Sequence, residues 1–386
     1  MKRMQPDTVL IVGASLGGCM AALGLARAGV PVVLLEKATF PRRKACGEGL
    51  SARGVAALGS AGFGVRKHCN EWAELHGYRL VHGARESILG CDEPLLGIKR
   101  ASLDAALVEH VSSSRLVALR EGAPVRSVER EGDSFRIQVG SEVLRTRSLI
   151  VADGAASGTA ARLGCRAARR AVRRVGSSSA WRVIEGELQP WVQVFLFSRG
   201  EVYLTPTGKS SANVSLLGAP EFVSSLLPTE ALSNWLVQHR EKLGASFELE
   251  SPALGAGPLN SFRLGAVLSG ALLVGDACET FDPIGGMGMS HAVESGRLAA
   301  AAVVRGLTTG GFSEAAQWYE SAQRSMAQEM RGFTRMTSWM LGTASGRVLM
   351  PWAVASGIAQ RLSSAAHGAG KALPCRWLLG LAGAAA

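Results

Sequence analysis

Aromatic residues are scarce, at 6% of the chain, and no basic run is interleaved with them. That argues against a nucleic-acid surface built from stacking platforms and phosphate contacts. Cysteines are few and widely spaced (Cys19, Cys46, Cys69, Cys91, Cys165, Cys278 and Cys375), odd in number and without a C-x-x-C pair. A disulfide framework and a zinc site are both disfavoured, and reduced thiols in a cytoplasmic protein are the expectation. No uncharged apolar run reaches the ~18 residues that a membrane span requires. Met1-Lys2-Arg3 before apolar residues has the look of an export signal, but a strand–turn–helix pattern explains the same stretch better. There is no internal repeat.

What is present is a chain of 386 residues, 47% hydrophobic and 19% charged, with a net charge of +11. This is enough for two or three domains around large cores. The positive balance favours anionic partners: phosphate-bearing small molecules, an acidic carrier protein, or a membrane surface touched peripherally.

The stretch from Thr8 to Lys37 organises the rest. Val9–Val12 is an apolar run, Gly13-Ala14-Ser15-Leu16-Gly17-Gly18 a glycine turn, and a small-residue helix follows to Ala28, closed by Gly29. A second apolar run, Val32–Leu35, ends in Glu36. This is a βαβ dinucleotide unit. Gly13 permits the tight turn, Gly18 lets helix and strand approach, and the helix N-terminus offers free N–H groups to a pyrophosphate. Glu36 is placed to accept hydrogen bonds from a ribose. Ser15 stands where the fingerprint has its middle glycine; its hydroxyl is small enough to be tolerated and can itself donate to phosphate.

Further along, the basic loop from Lys37 to Ser51 carries Arg42, Lys44 and Cys46 and is expected to run back along a bound dinucleotide. Arg100 opens an amphipathic helix over 101–111. Strands are expected at 77–81, near Ile88, and at 116–119, 124–130 and 134–139. A second buried strand ends at Asp153-Gly154, a usual place for a cofactor contact. Strand-like runs dominate 165–265, before a helix at 229–243, and Arg166, Arg169, Arg170, Arg173 and Arg174 share a helical face. A third buried strand ends at Asp276. It leads into Pro283-Ile284-Gly285-Gly286-Met287-Gly288-Met289 and a helix from Ser290, whose start offers N–H groups to an electron-rich ligand. The expected class is α/β: a Rossmann-like nucleotide-binding domain (1–164 and 265–310), an inserted antiparallel-sheet substrate domain (165–264, with part of 62–95), and a helical C-terminal region (311–386).

Three motifs in this order (the fingerprint with Glu36, Asp153-Gly154 with Ser157, and Gly275-Asp276 with Pro283 and its glycine loop) resemble the FAD-dependent oxidoreductases of the para-hydroxybenzoate hydroxylase fold. Phe40-Pro41-Arg42-Arg43-Lys44-Ala45-Cys46-Gly47 resembles, more narrowly, the geranylgeranyl reductase branch. The resemblance implies FAD, with NAD(P)H as electron donor. It places Gly13, Ser15 and Gly18 at the pyrophosphate, Glu36 and Lys37 at the ribose end, and Arg42, Lys44 and Arg100 along the phosphates. Val125 falls near the adenine and Asp276 at the ribitol. Gly286, Met287, Gly288 and Met289 lie against the flavin ring. Asp153 supports the cofactor, and Cys46 lies near the flavin, beside a substrate pocket.

The halogenases of this group share W-x-W-x-I-P, which is absent here. The prenyl reductases carry Y-x-W-x-F-P, where this chain has Val202-Tyr203-Leu204-Thr205-Pro206. The missing tryptophan and phenylalanine shift the expectation to a monooxygenase acting on an aromatic or polyketide-like small molecule in secondary metabolism. Its candidate base or relay residues are His291 and Tyr203. A flavin-dependent carbon–carbon double-bond reductase is the alternative, and a flavin-bearing protein that docks a carrier or membrane is a third reading.

Overall fold

A computed structural model describes residues 7–165, 174–259 and 265–368. The arginines at 166, 169, 170 and 173, expected on a helical face, lie outside the described residues, as does the chain beyond 368.

Among the described residues the strands form three sheets. The first has six strands in the order Val267–Leu268, Ala271–Leu273, Leu149–Val151, Val9–Val12, Val32–Leu35, Val117–Arg120, all parallel except the first. The strand Val9–Val12 lies in its interior and every residue of it is buried. A strand covered on both faces reads as a continuous apolar run, not an alternating one. The three apolar runs seen in the sequence are thus neighbours, and their C-terminal ends open on one edge.

Two helices pack here with almost nothing between them. The helix Leu16–Arg27 leaves the first glycine turn, and Gly288–Thr309 leaves the second. A Cβ on Gly296 would overlap the Gly17 carbonyl oxygen, and one on Gly17 would come within 3.0 Å of the Ala292 carbonyl. Glycine at this crossing brings the two N-termini side by side.

The second sheet has eight strands in the order Ala245–Ala256, Val175–Gly186, Ser211–Gly218, Gly200–Pro206, Val192–Phe197, Ala73–His82, Arg85–Gly97, Gly49–Leu50. It therefore gathers strands from before and after the second buried strand of the nucleotide sheet. One face packs on Leu232, Trp235 and Leu236 of the helix Thr229–Gln238. The other packs on the C-terminal helices through Leu80, Val194, Leu341 and Met350. The helix expected over 229–243 is broken at His239, and a short turn, Arg240–Leu243, ends at left-handed Gly244. The strand Ala245–Ala256 was not foreseen. It holds two glutamates, Glu248 and Glu250, and Pro252 in its middle, and it lies at the sheet edge, where proline is tolerated.

The third sheet is the meander Val125–Glu131, Ser134–Val139, Glu142–Thr146. After it the chain returns to the six-stranded sheet. The C-terminal helices are Phe312–Gly342, Ala344–Ala355 and Ile358–His367. The first is anchored where the Tyr319 hydroxyl donates to the Leu273 carbonyl at 2.7 Å, inside the core.

Candidate active site

The edge where the parallel strands end is the first half of the site. Gly13 has φ +102°, and a Cβ there would run into the Ala152 carbonyl and the Asp153 backbone; one on Gly18 would overlap the Gly13 carbonyl. Only glycine gives this turn and this helix–strand distance. The first N–H groups of the helix Leu16–Arg27 have no intrahelical acceptor and face out at the strand ends. Glu36, 6% exposed, accepts the Ala14 N–H on Oε2 (2.9 Å) and the Ala38 N–H on Oε1 (3.1 Å). Each oxygen keeps a lone pair for a ribose hydroxyl. Val125 follows two residues after Ala123, whose N–H donates to the Glu36 carbonyl at 2.8 Å.

Ser15 has a role that the sequence did not disclose. Its hydroxyl donates to Asp104 Oδ2 (3.1 Å) and accepts from Arg100 Nη2 (2.8 Å). Arg100 grips Asp104 through Nε and Nη2, both at 3.0 Å. Both residues are buried, at 5% and 1% exposure. The serine closes a ring that fixes the guanidinium, so its proton goes to Asp104 and not outward to a phosphate. Burial works against the Arg100 charge, but the Asp104 carboxylate outweighs it and raises the arginine's pKa; in return Arg100 holds Asp104 below the usual carboxylate range against the opposing effect of burial.

Arg42 lies 3.7 Å from Glu36 and 3.6 Å from Asp104, and its Nε is buried without a partner. Burial, then the Arg100 and Arg42 charges, press the Lys44 ammonium below its ordinary value, against Asp276 and Asp104. Burial raises the Asp276 carboxyl, against Lys44 and Arg100. A diphosphate among Arg42, Lys44 and Arg100 would relieve their mutual repulsion. The bare turn, the orphaned Arg42 nitrogen and this crowded cation set fit a dinucleotide. Lys37 is exposed at the outer end of the same loop.

Asp153 does something else. Its carboxylate accepts from the Ser157 hydroxyl and from the Thr159 N–H (3.0 Å), holding the helix Gly158–Arg162. It braces the strand end that Gly13 packs against. Arg162 turns to the Arg126 carbonyl at 2.8 Å.

The second half of the site is the glycine loop. Gly286 has φ +63°, and a Cβ there would stand 3.4 Å from the Tyr78 hydroxyl and from His367 Nε2. Met287 is buried against Met330 and Phe333, while Gly288 and Met289 start the helix. Beside the loop lies a narrow cavity of about 60 Å³ between the second sheet and the C-terminal helices, its walls including Tyr78, Val194, Tyr203, Ile284, Gly285 and Met350. Among its described walls the polar groups are few: the two tyrosines, Thr337, Ser363 and His367. The Tyr203 hydroxyl is buried with no partner, and burial drives its pKa well up. Tyr78 and His367 were not foreseen; they are 289 residues apart in sequence and meet at 3.4 Å.

His291 is not in this cavity. It is fully buried behind the loop, with Nε2 2.6 Å from the Gln323 side-chain nitrogen and its ring edge-on to Phe281 at 4.9 Å. Burial, with some help from Arg331, pushes it down to about 3. A neutral, enclosed imidazole packs the helix and has no path to a substrate proton, so its expected role as base is corrected. Cys46 is likewise absent from the cavity wall. Its N–H donates to Ser178 Oγ at 3.2 Å, and its sulfur accepts the Glu48 N–H at 3.4 Å.

Glu48 is the remaining residue that sequence reasoning missed. It holds φ +60°, is 8% exposed, and accepts the Arg100 N–H at 2.8 Å. Burial raises its carboxyl from 4.5 to about 7, although the Arg100 N–H and charge pull the other way. A raised folded-state value means that the protonated form favours the fold. That contribution is whole below about pH 4.5 and is lost as pH climbs through 7. At ~1.4 kcal/mol per unit the loss is about 3 kcal/mol. Glu48→Gln will therefore raise the melting temperature by several degrees at pH 8.5 and leave it unchanged at pH 5, as read by thermal unfolding; equal effects at both pH values would contradict this.

The menaquinone reductase of Mycobacterium tuberculosis is 29% identical over 309 residues, 76% of this chain and 75% of that one. The digeranylgeranylglycerophospholipid reductase of Methanosarcina acetivorans is 26% identical over 337 residues, 79% of this chain and 77% of that one. In architecture the chain is similar to a flavin-dependent brominase, with a TM-score of 0.79 at 16% identity over 99% of both chains, a likeness of fold alone. The pattern of the FAD binding domain matches residues 7–213, more than half of the chain, and the protein belongs to that family of flavin-dependent oxidoreductases.

Proposed function

We propose that this protein is a flavin-dependent reductase of a carbon–carbon double bond in an apolar, isoprenoid-like substrate. One observation carries the reading: the cavity at the glycine loop is walled by apolar side chains and, among the described residues, holds a buried, unpartnered tyrosine hydroxyl but no carboxylate. Hydroxylating a phenol is helped by a group that draws off the phenol proton. Among the described residues no carboxylate lines the cavity, and its one imidazole, His367, is held neutral by burial and already engaged with the protein, Nδ1 3.1 Å from the Ser363 carbonyl and Nε2 3.3 Å from the Gly285 carbonyl and 3.4 Å from the Tyr78 hydroxyl. The names of the two curated relatives, both reductases, support the same choice.

Gly13–Gly18, Arg42 and Lys44 would hold the pyrophosphate of FAD, Glu36 its ribose and Gly286–Met289 its ring, and the cofactor, once reduced by a donor such as NAD(P)H, would supply a hydride. The cavity walls align the alkene and exclude water. Tyr203 delivers the proton to the second carbon: its hydroxyl is buried, unpartnered and kept protonated. Tyr203→Phe is expected to lower kcat roughly a hundredfold with little change in KM, the usual share of a general acid; a loss in KM alone would assign Tyr203 to binding.

The monooxygenase reading keeps one observation in its favour, the loss of tryptophan and phenylalanine from the 202–206 strand. Turnover without oxygen, with a product heavier by two hydrogens, supports the reductase. Donor consumption that requires O₂, with a product heavier by one oxygen, supports the monooxygenase.

A further inference from the structure

The helix Ala344–Ala355 is apolar on two opposite faces. Met350 and Val354, one turn apart, form part of the cavity wall. Val348 and Trp352, also one turn apart, face outward with Leu349 at 70%, 64% and 49% exposure for Val348, Trp352 and Leu349. Trp339 (41%) and Ile358 (42%), on the flanking helices, add to the exposed apolar set. Single exposed hydrophobes need no explanation, but a run concentrated in twenty residues does.

Along the sequence of these helices the charge has one sign, although Asp92 and Glu93 of the strand Arg85–Gly97 lie beside the last of them. From Met330 to the end of the chain there is no aspartate or glutamate, whereas arginine occurs at 331, 335, 347, 361 and 376 and lysine at 371. Arg331 is tied to Glu279 at 2.7 Å. Arg335 is exposed one helical turn from Trp339, and Arg361 is exposed one turn from Ile358. Exposed tryptophan and aliphatic side chains flanked by arginine, with no acid on the same helices, match a surface of hydrocarbon beneath anionic headgroups. Among the described residues no helix is long and apolar enough to cross a membrane, so the geometry is that of a face laid on a bilayer.

We propose that the outer face of the helix Ala344–Ala355, with Trp339 and Ile358, docks on an anionic lipid bilayer, setting the cavity behind that helix at the membrane surface. The docking stands on the exposed residues and the arginines; only the use made of it, loading a substrate dissolved in the bilayer, rests on the reductase reading.

The test is co-sedimentation of the full chain, with flavin bound, with vesicles of phosphatidylcholine alone or with phosphatidylglycerol, read without substrate. Binding to the anionic vesicles that weakens with salt is expected. The triple variant Val348→Ser, Leu349→Ser, Trp352→Ser should bind them roughly tenfold more weakly, with an unchanged flavin spectrum and unchanged turnover of a detergent-dispersed substrate. Arg335→Gln with Arg361→Gln should remove most of the preference for anionic lipid. Three results would each overturn the proposal: no vesicle binding by the wild type; binding indifferent to the triple variant but lost on deleting residues 369–386; or a concentration-dependent dimer that the triple variant abolishes. Vesicle binding in a protein that proves to be a monooxygenase would leave the docking intact.

Discussion

Gly18→Ala will leave the protein unable to retain its flavin. The added methyl group would overlap the Gly13 carbonyl oxygen, and neither partner can yield. The carbonyl belongs to the backbone of a turn whose φ of +102° already requires glycine, and Gly13 is itself pressed on the Ala152 carbonyl. The helix Leu16–Arg27 would have to lift from the strand by about 1.5 Å, roughly the difference between the overlap and a normal contact, at a cost of about 1–3 kcal/mol for overpacking. It cannot lift freely, because Gly17 is wedged on Ala292 of the opposite helix. The N–H groups that would meet the pyrophosphate move with it, so at least a hundredfold loss of FAD affinity is expected. The checks are the flavin-to-protein absorbance ratio after purification and the melting temperature with and without added FAD. Gly59→Ala is the control. Gly59 lies in the helix Ala52–Ser60 with nothing within 4 Å of a new Cβ, so alanine should stabilise by about 0.5–1 kcal/mol and leave the flavin in place. A Gly18→Ala protein as yellow as the wild type would remove the fingerprint from the binding site.

The parts of this architecture that were legible in the sequence are those whose signal is local. Val9–Val12, Leu149–Val151 and Ala271–Leu273 are short unbroken apolar runs ending in glycine turns or acids, and such runs announce buried parallel strands. What stayed hidden is chemistry assembled from distant segments. Asp104 lies on an expected helix, but its pairing with Ser15 spans 89 residues, and nothing in either neighbourhood points to the other. The cavity takes its walls from positions between Tyr78 and His367, so its apolar character could not be read before the second sheet and the C-terminal helices were in place. His291 misled because its position after the glycine loop is the position of a site residue. On a helix, however, the residue that follows a loop is often turned inward, and this one is pinned to Gln323. The strand Ala245–Ala256 was missed because its glutamates and proline obscure an edge strand's alternation.

Arg100→Met will destabilise the protein by about 3–5 kcal/mol, because it leaves the buried Asp104 carboxylate without its fork. Asp104→Leu should cost a similar amount by stranding the guanidinium. The double variant should recover most of the lost stability, since a buried pair exchanged for apolar side chains of like volume is often neutral. Urea unfolding of the four proteins gives the coupling. The same set separates two roles that stability alone confounds. If Arg100 is only a brace for the turn at Ser15, the double variant, refolded to near wild-type stability, will bind FAD nearly as well as the wild type. The crowding of Lys44, Arg42 and Arg100 argues otherwise: burial, with the Arg100 and Arg42 charges added to it, holds the Lys44 ammonium down, and an anion brought among the three cations gains from all of them. Removing Arg100 and Asp104 together takes away one cation and one acid. The local charge is then unchanged, but the oriented guanidinium beside the helix N-terminus is gone. The expected result is a double variant that is stable and weak in FAD, by about tenfold or more, with the difference shrinking at high salt. If the double variant is both stable and full of flavin, Arg100 belongs to the scaffold and the phosphates are held by Arg42, Lys44 and the helix alone.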